Sequence, residues 1–162
     1  MHAMSADEPM RRYMVVPKVE EAAVTINKQI EELVQLNEWQ EYSYTRDELV
    51  QMRAEARFLR AFSYWHGIDL WGNIPLVTED FELGATPPDQ SDRATIYQYV
   101  VDELNAIRGD LPAVGAAEYG RVDQGAVAML LAKLYLNASV YIGADQSSLA
   151  LTEVERVIGG PY

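Results

Sequence analysis

The sequence predicts an all-α protein made of tetratricopeptide-like helical hairpins stacked in an array, and three observations carry that prediction. Apolar residues recur at three- and four-residue steps through five segments. Capping residues and Gly- or Pro-bearing breaks bound those segments. A single shift of 71 positions then lays Leu59, Ala61 and Tyr64 over Leu130, Ala132 and Tyr135, and Ile30-Glu31-Glu32-Leu33 over Val101-Asp102-Glu103-Leu104, with Leu36 falling on Ile107. Helix periodicity alone rarely relates two separate segments to two others without any adjustment between them, so the first hairpin is read as repeated by the second.

The first helix is expected from about Pro17 to Leu36, with Val19, Ala22, Ala23, Ile26, Ile30, Leu33 and Val34 on one face and glutamates on the other. The second starts at Thr45, whose hydroxyl and Glu48 three residues on form a capping box worth about 1 kcal/mol, and runs to about Leu70. Gly72 and Pro75 stop it: the glycine can turn left-handed, and the proline pushes Ile74 to an extended conformation, with Trp71 plugging the corner. Within this helix Leu49, Met52, Ala56, Leu59 and Ser63 form one stripe, Phe58, Phe62 and Trp65 a second, and Arg53, Arg57, Arg60 and Tyr64 a third. Two contact faces suit a helix inside an array.

The third helix is placed from Ser91 or Asp92 to before Pro112, and the fourth from the N-cap Asp123 to about Tyr141. A fifth is placed from Ser147 or Ser148 to Ile158, closed by Gly159. Ile74 to Thr78 is the one extended candidate, too short and isolated for a sheet. The resulting organisation is a tail at 1–16, in which Met-His-Ala-Met reads as an expression scar, followed by a helical-repeat domain at 17–162. That domain comprises a hairpin at 17–70, a loop at 71–91, a hairpin at 92–141 and a single helix at 147–158. Alanines at 54, 56 and 61 and again at 126, 128 and 132 allow close helix approach.

Composition narrows the function. A formal charge of −12 repels phosphate backbones and anionic headgroups, so nucleic acid is not expected as a partner. With no cysteine there is no disulfide, thiolate metal site or cysteine nucleophile. No signal segment and no run of eighteen apolar residues is present. His66 beside Trp65 reads as a packing residue, and no cofactor or metal is expected. Glu31/Glu32 and Asp102/Glu103 are sequence neighbours that point about 100° apart on a helix, which does not suit a glycosidase pair. Neither a phosphate loop nor a Gly-x-Ser-x-Gly or His-Glu-x-x-His motif occurs. Arg53, Arg57 and Arg60 are expected to pair with glutamates of neighbouring helices.

Loop aromatics are the candidate ligand contacts. In Asn37–Thr45, Trp39, Tyr42 and Tyr44 alternate with amide and hydroxyl side chains, an arrangement that suits sugar rings with apolar C–H faces and hydroxyl rims. Trp71 and Asn73 offer a similar pair at the other end of the second helix. The alternative is that these rings staple loops to helices.

Four separated motifs, "RAEARFLRAFSYWHGIDLWGNIPLVTE", "ATIYQYVVDELNAIRGDLP", "GRVDQGAVAMLLAKLYLNA" and "EVERVIGGPY", resemble the SusD/RagB family in order and spacing, from about Ile26 to Tyr162. The resemblance implies a non-enzymatic glycan- or nutrient-binding lipoprotein on the outer-membrane surface of Bacteroidetes, seated on a SusC-type TonB-dependent transporter. Members of that family are much longer, and this chain has no cysteine to carry a lipid, so it reads as a shortened piece. The other function class considered is a helical-repeat scaffold that binds protein and no glycan. The fifth helix carries Leu149, Leu151, Val154, Val157 and Ile158 without a following partner helix, which predicts self-association through it, most simply as a homodimer.

Overall fold

The structure is a computed structural model that describes residues 25, 27–32, 44–78 and 88–162. Residues 27–32 form α1, in which Asn27 and Ile30 are buried three positions apart. The remainder of the first expected helix lies outside the described residues, as does most of the 37–44 loop. Helix α2 spans Arg46–Leu70. Its capping box is complete: the Glu48 amide donates to Thr45 Oγ1 at 3.2 Å and the Thr45 amide donates to Glu48 Oε2 at 2.7 Å.

The end of α2 is built by close approach. Gly72 adopts φ +81° and its amide donates to the Ile68 carbonyl, while a Cβ at Gly67 would meet Ile74 Cδ1 at 2.3 Å, so the chain folds back onto the helix only over glycine. Two two-residue strands follow, β1 (Ile74–Pro75) and β2 (Gln90–Ser91), paired antiparallel with Ile74 opposite Ser91. The extended candidate therefore does find a partner, one that sequence proximity could not suggest because fourteen residues separate the two strands. The Tyr64 hydroxyl fixes the segment after β1, donating to the Val77 carbonyl and accepting from the Val77 amide.

Helix α3 (Arg93–Ile107) is capped by Asp92, which accepts from the Thr95 amide at 2.9 Å, and continues as a 3-10 turn over Arg108–Asp110. Helix α4 (Gln124–Leu136) begins at the N-cap Asp123 as expected. It stops earlier than expected. Asn137 turns its side-chain amide back onto the Lys133 carbonyl and breaks the run into α4 and the short α5 (Ala138–Ile142), which ends on left-handed Gly143. Helix α6 spans Ser147–Ile158.

Packing is closest between consecutive units, α2 on α3 and α4 on α6. The core runs through Ala54, Ala61, Tyr64 and Ile68 of α2, Ile96, Val100 and Leu104 of α3, and Val127, Leu131 and Leu134 of α4. The 71-position match is only partly reflected in burial. Ile30 and Val101 are alike, and so are Ala61 and Ala132, but Leu130 is buried whereas Leu59 is 51% exposed. The stripe containing Leu59 is thus not a uniform contact face; the deepest part of α2 passes instead through its arginine–tyrosine stripe.

That stripe is buried because its charges are matched. Arg57 and Arg60 both reach Glu103 of α3, with Arg57 Nε at 3.0 Å and Arg60 Nη2 at 3.0 Å, and Arg60 is 1% exposed. Burial works against ionisation of Glu103, but the hydrogen bonds and charges of Arg57 and Arg60 outweigh it and hold the carboxyl below its usual range. Arg53 pairs with Glu31 at 3.3 Å. The expected pairing of Arg53, Arg57 and Arg60 with glutamates of neighbouring helices is thus present for all three.

Candidate functional site

Among the described residues, segments at the helix ends hold four of the five exposed aromatic rings, the fifth being Phe62 on α2. Tyr44 lies just before α2 and is 46% exposed. Trp39 and Tyr42 lie outside the described residues. Trp71 follows α2 and is 43% exposed, so it does not plug the corner; Ile74 over Gly67 and Arg93 beside Gly72 fill that space. Asn73 has a structural duty, its Oδ1 accepting from the Arg93 amide at 3.0 Å, which leaves its amino group for other contacts. With α2 25 residues long, Tyr44 and Trp71 stand about 37 Å apart along its axis, so the two loop pairs are separate places and not one site.

His66 packs as expected, its ring edge-on to Phe62 at 4.5 Å and tilted against Trp65 at 4.4 Å. Trp65 also lies under Lys133 Nζ, 4.9 Å from the ring centroid, which ties α2 to α4. Leu59, Phe62 and Leu70 of α2 and Met129 and Leu136 of α4 are exposed. Among the described residues no cluster of His, Cys, Asp or Glu could hold a metal, and no helix is long and apolar enough to cross a membrane.

A third aromatic place was not foreseen. The segment between α3 and α4 and the end of the chain after α6 enclose an open cleft of about 410 Å³, lined by residues that include Glu118, Tyr119, Arg121, Gly125, Met129 and Tyr162. Asp123 organises it: beyond capping α4, its carboxylate accepts from the Gly115 amide at 2.7 Å and from the Tyr162 hydroxyl at 2.5 Å. Burial opposes its ionisation, yet the bonds from Tyr162 and from the Ala126 and Gly115 amides keep the carboxyl below its usual range. A Cβ on Gly125 would meet the Tyr162 hydroxyl at 2.3 Å, so glycine at the start of α4 is what admits the ring. The Tyr-Gly pair in "AAEYGRVD" was the available signal, since a large ring at a turn tip has little to pack against.

No family model matches the chain. Over 118 residues, 73% of its length, the chain is 39% identical to the starch-binding protein SusD of Bacteroides thetaiotaomicron, and the match covers 21% of that protein. Over 89 residues, 54% of the chain, it is 34% identical to a SusD-like protein of Formosa agariphila, of which 17% is covered. The fold is similar to that of a laminarin-binding SusD-like protein, with TM-score 0.68 and 23% identity over 88% of this chain and 29% of that one. It is also similar to a crystal structure with xylogluco-oligosaccharide, with TM-score 0.72 and 22% identity over 90% of this chain and 28% of that one. The chain spans about a fifth of the length of the curated relatives it matches. Sequence and fold agree on the same relatives: the chain is similar to SusD and SusD-like proteins over part of their length, and its fold is a tetratricopeptide-like helical array.

Proposed function

We propose that this chain is the helical part of a non-enzymatic, surface-exposed outer-membrane lipoprotein that binds a glycan or other nutrient and delivers it to a SusC-type TonB-dependent transporter. The observation that carries the reading is the 39% identity, over most of this chain, to a protein named for starch binding. The geometry supports it in two ways. Exposed rings with neighbouring hydrogen-bonding groups at Tyr44 and at Trp71 with Asn73 offer the apolar face and polar rim that a pyranose needs, and Trp39 and Tyr42 complete the first loop in sequence. The exposed apolar side chains of α2 and α4, rather than any loop, suit a protein partner, because exposed apolar surface is a mark of interaction sites.

Native gels containing soluble starch, laminarin or xyloglucan test glycan binding. Retardation by one of them, reduced in Trp71→Ala or Tyr44→Ala, is the expected result. Uniform mobility in all three, together with capture of a transporter or peptide through the α2/α4 face, would favour the protein-interaction scaffold. Self-association is a further part of the proposal: Leu151 and Ile158, seven positions apart and therefore on one face of α6, are exposed while Ala150 and Glu153 of the same helix are buried, which leaves an apolar strip for a second copy.

A further inference from the structure

We infer that the cleft between the α3–α4 segment and the end of the chain is a saccharide-binding subsite, with Tyr119 and Tyr162 as its stacking rings; the inference rests on the glycan-binding reading above. Tyr119 is fully exposed and makes no packing contribution, so the fold gives no reason for a tyrosine there. It is nevertheless held in place. The Arg121 amide donates to the Glu118 carbonyl at 3.0 Å and Gly120 takes φ +85°, which puts Tyr119 at the tip of a tight turn.

Both flanks of that turn are anchored. Arg121 grips Glu55 of α2 through Nε at 2.9 Å and Nη2 at 3.0 Å, and Asp123 holds the Gly115 amide on the other side. Tyr162 faces the same cleft, its hydroxyl tied to Asp123 while the residue stays 72% exposed. A ring fixed at its hydroxyl, seated over Gly125 and otherwise mostly exposed is a platform ordered before any ligand arrives, so little side-chain entropy is lost on binding.

The lining chooses the ligand class. Two neutral rings and Met129 supply apolar surface, Glu118 supplies exposed acceptors, and Arg121 Nη1 supplies donors not used by Glu55 in any bond among the described residues. A strongly anionic ligand finds no match, because it meets Glu118, Asp123 and a chain of net charge −12. A neutral polyol with one apolar ring face satisfies both kinds of lining, and the cleft volume lies within the usual range for small-molecule sites.

The test uses the full chain in native gels containing soluble starch, laminarin or xyloglucan, with Tyr119→Ala, Tyr119→Phe and Trp71→Ala run beside the parent. Tyr119→Ala should weaken binding of the retarding polysaccharide about tenfold. Its urea midpoint should not move, because the ring is fully exposed, and Tyr119→Phe should bind like the parent. Parent-like binding by Tyr119→Ala, with loss in Trp71→Ala, overturns the cleft and leaves the glycan-binding reading intact. A parent chain that none of the three polysaccharides retards overturns both. Tyr162→Ala gives a second reading of the same cleft and should lower affinity in the same gel, provided its circular dichroism matches the parent.

Discussion

Replacing Glu103 with glutamine tests whether the buried charges between α2 and α3 hold the array together. Glu103 is 11% exposed and accepts from both Arg57 and Arg60, whose side chains are 20% and 1% exposed. Glutamine keeps the shape but offers an amino group where a guanidinium needs an acceptor, and it removes the carboxylate charge from beside the buried Arg60. Removing one partner of a buried pair costs about 3 to 5 kcal/mol, and the partial exposure of Arg57 places the expected loss near the lower end, about 3 kcal/mol. The comparison variant is Glu55→Gln, whose partner Arg121 is 37% exposed; a pair so open to solvent is worth roughly 1 kcal/mol or less. Urea unfolding followed by circular dichroism reads both as midpoint shifts at constant slope. Added salt should erase the Glu55 effect and leave the Glu103 effect nearly intact. Equal losses in the two variants, or a Glu103→Gln loss under about 1 kcal/mol, would refute the argument that a buried ion cluster joins the two helices.

Ala61 is fully buried, so Ala61→Leu should overpack the core and cost about 1 to 3 kcal/mol in the same assay; an unchanged midpoint would contradict its burial. Glu103 and Asp123 have lowered folded-state pKa values, so their stabilisation is present above the ordinary carboxylate range and should be lost as pH falls through the lowered folded values. Tyr97 and Tyr141 are pushed up to about 12, mainly by burial, so the stability they contribute is complete below pH 10 and should be lost between 10 and about 12; a flat dichroism titration through either window would count against the corresponding groups. Leu151→Glu combined with Ile158→Glu should convert a self-associating chain to a monomer by sedimentation, and these positions are better probes than Val154 and Val157, which are half-buried. A strictly monomeric parent at high concentration would remove the proposed α6 contact.

Three helix starts were legible because each rests on local chemistry. Thr45 with Glu48, Asp92 with Thr95 and Asp123 with Ala126 all form the caps that their residue types prescribe. The break at Asn137 was not legible, since asparagine inside an apolar periodic run is tolerated as often as it interrupts. Exposure of Leu59 was hidden for a different reason: periodicity tells which residues share a face, but only the placement of neighbouring helices tells whether that face is covered. The same limit applied to Trp71, which looks like a plug from sequence and lies open because Ile74 and Arg93 occupy the corner first. Tyr119 and Tyr162 gave no signal as a pair, being separated by all of α4, α5 and α6.

The positions of the exposed rings follow from the array itself. A helix between two neighbours spends its side chains on packing, so an aromatic ring that is to meet a ligand has to sit in a connecting segment, where nothing covers it. Tyr44, Trp71, Tyr119 and Tyr162 all obey this, each lying just outside a helix. The repeat then sorts them by edge. α2 and α4 are equivalent by the 71-position match, so Tyr44 before α2 and Tyr119 before α4 belong to the same edge of the array, and Trp71 belongs to the opposite one. The Arg121–Glu55 pair supports this directly, because Glu55 is only nine residues into α2, which sets the turn carrying Tyr119 about 14 Å along the axis from the first residue of that helix. Under the proposed function, a glycan chain running along that edge meets the Tyr44 loop and the Tyr119–Tyr162 cleft in succession, whereas a ligand at Trp71 is bound alone.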